Sequence, residues 1–207
     1  PEAWRHEHNT LHHYKLGETH DPDQPEHNLE WLRESKLPRW LRYVVVAIGA
    51  ATWKVIYYPP NTMRKLYEAQ KRREGEEIDT DAWSPFDMRI YLPFADPGRQ
   101  LWLKSYLPYV VIHFVLVPLP FLLISKWAWF SVLVNRLLAE VLTNLHAFLV
   151  IVPNHTGDDL YRFDTPIEGR ADFYLRQIVG STNYRTGGDL NDFMHGFLNY
   201  QIEHHLW

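Results

Sequence analysis

The sequence contains no cysteine among its 207 residues. This absence excludes disulfide bonds, Cys-ligated zinc and iron–sulfur clusters, so any bound metal must be held by histidine, carboxylate or amide groups. The chain also lacks an excess of positive charge, because 21 Lys and Arg stand against 25 Asp and Glu and the net charge is −4 with histidine neutral. Nucleic-acid-binding domains carry a basic surface, so we expect no nucleic acid partner.

Aromatic residues and histidine are instead abundant. The chain holds 9 Trp, 12 Tyr and 12 His. Trp and Tyr are enriched where a protein is apolar at one end and solvated at the other, as at a membrane interface. The densest groups of histidine lie near the two ends of the sequence, and their grouping carries more information than their number.

Two long apolar runs predict a pair of membrane-spanning helices. Residues 106–124 contain no acidic or basic side chain, and residues 127–152 form a second run with few polar insertions. At 1.5 Å per residue the first run reaches about 30 Å, which is the thickness of the hydrocarbon layer. Trp127 and Trp129 stand where aromatic rings anchor helices at the interface. We therefore expect an all-α fold with one transmembrane hairpin over residues 106–152.

Two segments that precede the hairpin carry more charged residues and are not predicted to span a membrane. Residues 41–58 are mostly apolar, but Arg42 and Lys54 leave a charge-free core shorter than the roughly 20 residues that a span needs. This segment predicts an interfacial or buried helix. Residues 61–100 carry charges of both signs and turn signals, which are typical of a solvated segment.

Two charged residues lie inside the second apolar run. Arg136 and Glu140 are four residues apart, and this spacing predicts an ion pair along one face of a helix. Charges at membrane depth normally face protein or a polar cavity. The alternative is therefore a role beside a bound substrate.

The first histidine cluster is the string HEHNTLHHY. His8 and His12 are four residues apart, so they share one face if this segment is helical. His13 lies one step round the helix, close enough to bind the same ion or a neighbouring one. Three imidazoles thus converge from little more than one turn.

The second cluster is the string QIEHH near the other end of the chain. Gln201, His204 and His205 have the spacing i, i+3, i+4, which again defines one helix face. The two clusters lie about 190 residues apart, so local structure alone does not account for both. They make sense if both point into one metal site.

The number of histidines narrows the choice of metal. Imidazole suits Zn, Cu, Fe and Ni, but five histidines exceed the four ligands of a structural zinc site. Two iron ions would use them all. If the hairpin crosses the membrane twice and residues 41–58 do not cross, both clusters lie on the same side. His155 follows the second run onto that side and is a candidate for a sixth histidine ligand.

These motifs resemble those of the integral membrane fatty acid desaturases. HNTLHH is similar to the second histidine box of that family (HxxHH or HxxxHH), and the following Asp21–Asp23 (DPD) fits the same neighbourhood. NDFMHGFLNYQIEHHLW resembles the third box of the front-end branch, in which Gln replaces the first His of HxxHH. VPNHTGDDL resembles the segment after the last membrane helix, where the family contributes one more histidine. The resemblance covers nearly the whole chain.

The resemblance implies a partial desaturase domain over residues 1–207. Its parts would be a second box at 8–13, an interfacial helix at 41–58, a hairpin at 106–152 and a third box at 201–205, with a histidine-rich metal-binding cap. The family's first box, HxxxH, would lie before Pro1. The implied metal ligands are His8, His12, His13, His155, His204 and His205, with Gln201 beside them.

The resemblance also implies the chemistry and the partners. The expected reaction is O2-dependent removal of two hydrogens from an unactivated acyl chain, with two iron ions as cofactor, O2 as co-substrate and water as the other product. Expected partners are a fatty acyl substrate (acyl-CoA or acyl-lipid), an electron donor such as cytochrome b5 or ferredoxin, and the lipid bilayer. The metal site would lie on the cytosolic side of a bacterial inner membrane or the endoplasmic reticulum.

Two alternatives stay open at this point. A hydroxylase, ketolase or acetylenase would share the same three boxes and differ only in its product. A non-enzymatic metal transporter or sensor would place its histidines within the membrane spans, whereas the two boxes flank them. The remaining histidines are expected to be solvated, helix-packing or supporting residues rather than ligands: His6, His20, His27, His113, His146 and His195.

Overall fold

The computed structural model describes residues 2–18, 21–22, 29–80, 83, 87–156 and 160–206, except for the side chain of His155. Over this part of the chain the structure consists of helices and turns without a β-strand, and its extended pairing is limited to two isolated bridges, Glu18 with Phe163 and Asn183 with Tyr200. The predicted all-α fold class is confirmed.

The helices follow one another with short connections. In the first half they are α1 Glu2–Trp4, a π-helix Arg5–His12, α2 Glu30–Glu34, α3 Arg39–Ala51, α4 Trp53–Ile56, α5 Tyr58–Arg73 and α6 Met88–Tyr91. A long helical stretch then comprises α7 Gly98–Leu101, a π-helix Trp102–Tyr106, α8 Leu107–Val110, a π-helix Val111–Leu116 and a 3₁₀ helix Leu119–Leu123. The last elements are α9 Lys126–Ile151, a 3₁₀ helix Val152–His155, α10 Arg170–Val179, α11 Asp189–Met194 and α12 Gln201–Leu206.

The chain divides into two compact units. One unit, here called the cap unit, joins both ends of the sequence, Pro1–Val45 and Ala147–Trp207. The other, here called the hairpin unit, is the continuous segment Val46–His146. Both histidine boxes belong to the cap unit, so the two ends of the chain contribute to one folded body.

Two helical stretches are long and apolar enough to cross a membrane. They are Gly98–Leu123, with a mean hydropathy of 2.0, and Lys126–Asn154, with a mean hydropathy of 1.5. Only 6% and 17% of their most apolar windows are buried, whereas the core helix of a soluble protein would be mostly buried. The predicted pair of apolar helices, each long enough to span a membrane, is confirmed. The first helical stretch begins at Gly98 rather than at residue 106. It includes Lys104, whose ammonium group donates to the Gln100 side chain at 3.0 Å.

The polar residues of the hairpin pair between its two helices. Tyr109 donates its hydroxyl to Glu140, and Arg136 donates to Nδ1 of His113. Asn144 adds a bond to the Glu140 carboxylate at 3.0 Å. The predicted ion pair between Arg136 and Glu140 is therefore wrong for the described hairpin. Each of these half-buried charges has a polar partner on the other helix of the hairpin.

The segment 41–58 is not one continuous helix. α3 ends at Ala51, and α4 restarts at Trp53 after Thr52. A side chain of α9 stabilises the start of α4, because Asn144 accepts the Lys54 backbone N–H at 2.5 Å. Neither of the two candidate spans found in the described residues falls in this segment, as its short charge-free core predicts.

The segment 61–100 is more ordered than its composition indicates. Most of its first part forms α5, a helix of 16 residues, whose Met63 and Leu66 are buried. Ile90 in α6 is also buried. The prediction of a solvated segment is wrong here, because α5 buries one face, which includes even the charged Lys65, and only its last charged residues, Arg72 and Arg73, are exposed.

The cap unit has a small apolar core. Leu16 and Val150 are among its buried apolar side chains, and α10 packs against α12. Short backbone contacts join distant parts of the sequence, since Phe163 donates its N–H to the Gly17 carbonyl at 2.8 Å. These contacts hold the first histidine box next to the segments that precede the second one.

Candidate metal centre

The first histidine box lies on a π-helix rather than an α-helix. His13 donates its backbone N–H to the His8 carbonyl five residues earlier, at 3.1 Å. This wider turn brings residue i+5 under residue i, and the Nε2 atoms of His8 and His13 are 3.2 Å apart. The ring of His12 also stacks against that of His8 at 5.3 Å. All three side chains therefore share one face, and π-helical turns are frequent at functional sites.

The second box lies on α12 as its spacing indicates. Gln201 and His205 are buried and His204 is half-buried. Gln201 donates an amide hydrogen to Nε2 of His205 at 3.0 Å. The helix thus presents one amide and two imidazoles on the side that faces the π-helix.

The two boxes meet in one cluster of rings. His13 lies 5.1 Å from His204 and 4.8 Å from His205 between ring centroids, and His12 lies 4.9 Å from His205. Nitrogen atoms of His8, His13 and His204 all fall within 4.8 Å of one another, which is close enough for a shared metal ion. The structure brings together five of the six predicted histidine ligands.

Asp21 fixes the orientation of His12. Its carboxylate accepts a hydrogen bond from Nδ1 of His12 at 2.8 Å, with both side chains buried. The second carboxylate oxygen accepts the Gly17 backbone N–H at 3.0 Å. Gly17 has φ +72°, and a Cβ there would stand 2.9 Å from the Tyr161 carbonyl, so the turn requires glycine. With Nδ1 engaged by Asp21, His12 can bind a metal only through Nε2.

Two histidines of the cluster, His13 and His204, favour the neutral form. Burial, followed by the neighbouring His12 and His204, lowers the pKa of His13 to about 4, and Asp21 acts weakly in the opposite direction. Burial and His12 also lower the pKa of His204. Neutral imidazole is the form that binds metal. At neutral pH these side chains therefore offer nitrogen lone pairs without first losing a proton.

The donor set fits a metal ion. The clustered imidazoles suit Fe, Zn, Cu or Ni, and oxygen-only ions such as Mg²⁺ would prefer carboxylates. Oε1 of Gln201 is buried and accepts no hydrogen bond from the described residues. A buried amide oxygen without a donor is costly, and a bound metal or a water on it would satisfy this atom. The five imidazoles also exceed the needs of one tetrahedral ion.

Other histidines lie outside the cluster. Nδ1 of His195 donates to the Asn191 carbonyl at 2.7 Å. His113 binds Arg136 within the hairpin unit. The side chain of His155 lies outside the described part of the structure, so its role as a ligand stays a prediction. His20, Asp23 and His27 are also outside the described residues.

Comparison with known proteins points the same way as the motifs. A family model described as fatty acid desaturase matches residues 1–207. Two curated relatives, both called NADPH-dependent stearoyl-CoA 9-desaturase, come from Mycobacterium tuberculosis strains CDC 1551 / Oshkosh and ATCC 25618 / H37Rv. Each is 28% identical over 216 aligned residues, which cover 99% of this chain and 45% of the relative. The chain thus spans about half the length of these relatives. No solved structure matches.

Proposed function

Because the chain belongs to the fatty acid desaturase family, we propose that it forms the metal-binding part of an enzyme that introduces a C=C double bond into a fatty acyl chain. The observation that carries the proposal is the meeting of two histidine boxes, about 190 residues apart in sequence, in one partly buried cluster. The names of the relatives, which are stearoyl-CoA 9-desaturases, favour desaturation over hydroxylation.

The proposed cofactor is a pair of iron ions. Their ligands would come from the two boxes and from the segment that follows α9. They would be six histidines and one amide: His8, His12, His13, His155, His204, His205 and Gln201. When bound, two iron ions supply the O2-dependent oxidation that an unactivated C–H bond requires, which acid–base side chains cannot supply. The protein supplies the positions of the ligands.

The side chains of the cap unit have two tasks in this proposal. The first is to hold the imidazoles in a fixed arrangement: the Asp21 carboxylate orients His12, and burial lowers the pKa of His13 so that it favours the neutral form. The second is to keep bulk water away from the site. His12 is fully buried and His205 nearly so, and a dry site protects a strongly oxidising centre from side reactions.

The proposed substrate is a fatty acyl thioester such as acyl-CoA, delivered from the bilayer. The two spans of the hairpin expose apolar side chains along most of their length, as helices in contact with lipid do. We further propose that the metal site faces the cytosol, and that an electron donor such as cytochrome b5 or ferredoxin, ultimately reduced by a nicotinamide cofactor, delivers two electrons per turnover.

Single histidine substitutions test this function. The intact protein is expressed in a host that lacks the product, and fatty acids are analysed by gas chromatography. Replacing His8, His12, His13, His204 or His205 with Ala is expected to abolish the new double bond, since each removes one ligand. His195→Ala is the matched control, because this side chain lies in the same unit outside the cluster. A hydroxylated product from the wild type would instead indicate a hydroxylase.

A further inference from the structure

A glutamine outside both boxes contacts the backbone of the first one. Gln177 in α10 is fully buried. Its Nε2 donates to the backbone carbonyl of His13 at 3.2 Å, across 164 residues of sequence. Because a buried carboxamide is costly unless it is hydrogen-bonded, this contact is a specific feature of the site's surroundings.

The carbonyl that Gln177 binds lies at the end of the π-helix. The last carbonyls of any helix have no partner within it, and His13 is the residue that directly follows this helix. The amide of Gln177 therefore does for this helix what a capping group does. It fixes the backbone of His13, whose ring contacts both His204 and His205.

The residue before Gln177 anchors α10. Arg176 is buried, donates to the Thr165 carbonyl at 2.6 Å and pairs with Asp172 at 2.9 Å. Its guanidinium also lies 4.5 Å from the centre of the Phe163 ring. These contacts bind α10 to the preceding loop on one side, so the amide of Gln177 has little freedom to move away from the π-helix.

The other side of α10 faces the second box. α10 packs against α12, which carries Gln201 and His205. The backbone after Gln177 is also held, because Ser181 donates its hydroxyl to the Gln177 carbonyl at 2.7 Å. Gln177 is thus a direct link between the helix that bears one box and the helix that packs on the other.

We propose that Gln177 is a positioning residue for the metal site, which sets the distance of His13 from the ligands of the second box by capping the π-helix. The proposal rests on the proposed function only for the identity of the metal. Gln177 itself contacts no reacting atom and acts through His13 alone. Its loss should therefore weaken metal retention while leaving the overall fold intact.

The test compares two substitutions that keep the size of the side chain. Gln177→Met removes both polar atoms, and Gln177→Glu replaces the amide donor by a carboxylate that repels the His13 carbonyl. Gln100→Met is the matched control, because Gln100 also makes an amide hydrogen bond, to Gln70 at 3.1 Å, but in the hairpin unit. All are made in the intact protein. Circular dichroism and thermal unfolding report the fold.

Two readouts follow the site itself. The first is the rate at which a chelator removes bound iron, or Co²⁺ loaded in its place. We expect this rate to rise about 10–100-fold in both Gln177 variants, as for loss of a supporting contact to a ligand. The second is hydrogen exchange of the His13 and Lys15 amides in metal-free protein, which should be about five- to tenfold faster. The control should match the wild type in both.

The outcomes separate the two proposals. Wild-type rates of metal loss and exchange in Gln177→Met would overturn the positioning role. Failure of both variants to fold would also overturn it, since Gln177 would then be needed by the whole cap unit. A wild-type protein that binds no iron would overturn the proposed function, whereas the exchange of the metal-free protein would still test Gln177.

Discussion

His12 and Asp21 form a buried pair in which the carboxylate accepts a hydrogen bond from the imidazole Nδ1 at 2.8 Å. The pair lies beside the cluster of histidine rings and determines which nitrogen of His12 faces it. Carboxylate partners of this kind orient metal-binding histidines and make them better ligands. Asp21 thus belongs to the surroundings of the cluster through its contact with His12.

Asp21→Asn should weaken metal binding without unfolding the protein. The amide keeps the shape of the carboxylate but is a weaker acceptor for Nδ1–H of His12. We expect metal affinity to fall about 10–100-fold, measured as iron retained per chain against a graded chelator. Asp164→Asn is the control, because Asp164 is exposed and lies in a loop. Unchanged retention in Asp21→Asn would show that His12 holds its orientation without this carboxylate.

Gln201 should act on the metal rather than simply fill space. It is buried, lies one turn before His205 and contacts its Nε2 at 3.0 Å. Gln201→His restores a nitrogen ligand, whereas Gln201→Leu leaves no polar atom, so the His variant should keep far more activity. We expect the Leu variant to lose about 10–100-fold in activity or iron affinity. A Leu variant with wild-type product and iron content would make Gln201 a packing residue.

Asp192 should make the stability of the segment that precedes the second box sensitive to acid. Its carboxylate accepts hydrogen bonds from Thr186, from Tyr200 at 2.9 Å and from Asn199 at 3.0 Å. The Thr186 contact, followed by that of Tyr200, lowers the pKa of Asp192 below its usual 3.8. The stabilisation is therefore present above about pH 4 and is lost as the pH falls through the folded-state pKa.

The measurement is the thermal unfolding midpoint between pH 7 and pH 3. Asp192→Asn should lower the midpoint at pH 7 and flatten its decline in acid, because the substituted residue no longer titrates. Asp189→Asn, on the exposed face of the same helix, should leave both unchanged. An Asp192→Asn variant with the wild-type decline would assign the acid sensitivity to other carboxylates.

The hairpin predicts a specific membrane topology. The chain has no native cysteine, so single introduced cysteines report accessibility cleanly. Lys36→Cys and Asp189→Cys, both exposed in the cap unit, should react with an impermeant maleimide from the same side. Ile124→Cys, exposed between the two spans, should react from the opposite side. Opposite accessibility of residues 36 and 189 would break the argument for one shared metal site.

The sequence predicted the features that depend on local pattern. The apolar runs on either side of Trp127 predicted the hairpin, and the spacing of Gln201, His204 and His205 predicted that they share one face of α12. In both cases the periodicity of a helix decides the outcome, and residues four apart become neighbours whatever surrounds them.

Features that depend on distant partners escaped prediction. The π-turn between His8 and His13 inserts one residue per turn, which no local rule requires. Arg136 forms a hydrogen bond with His113 on the other helix of the hairpin, and Gln177 binds a carbonyl 164 residues away. Each of these contacts is decided by tertiary packing, so spacing within one segment gives no signal for it.

The metal content of the purified intact protein tests the central claim most directly. Iron and zinc are quantified by mass spectrometry for the wild type, for His13→Ala and for the control His195→Ala. We predict close to two iron ions per chain in the wild type and the control, with a marked loss of iron in His13→Ala. A wild type that carries labile zinc instead, or a His13→Ala variant that retains the full iron content, would contradict a di-iron site built from the two histidine boxes.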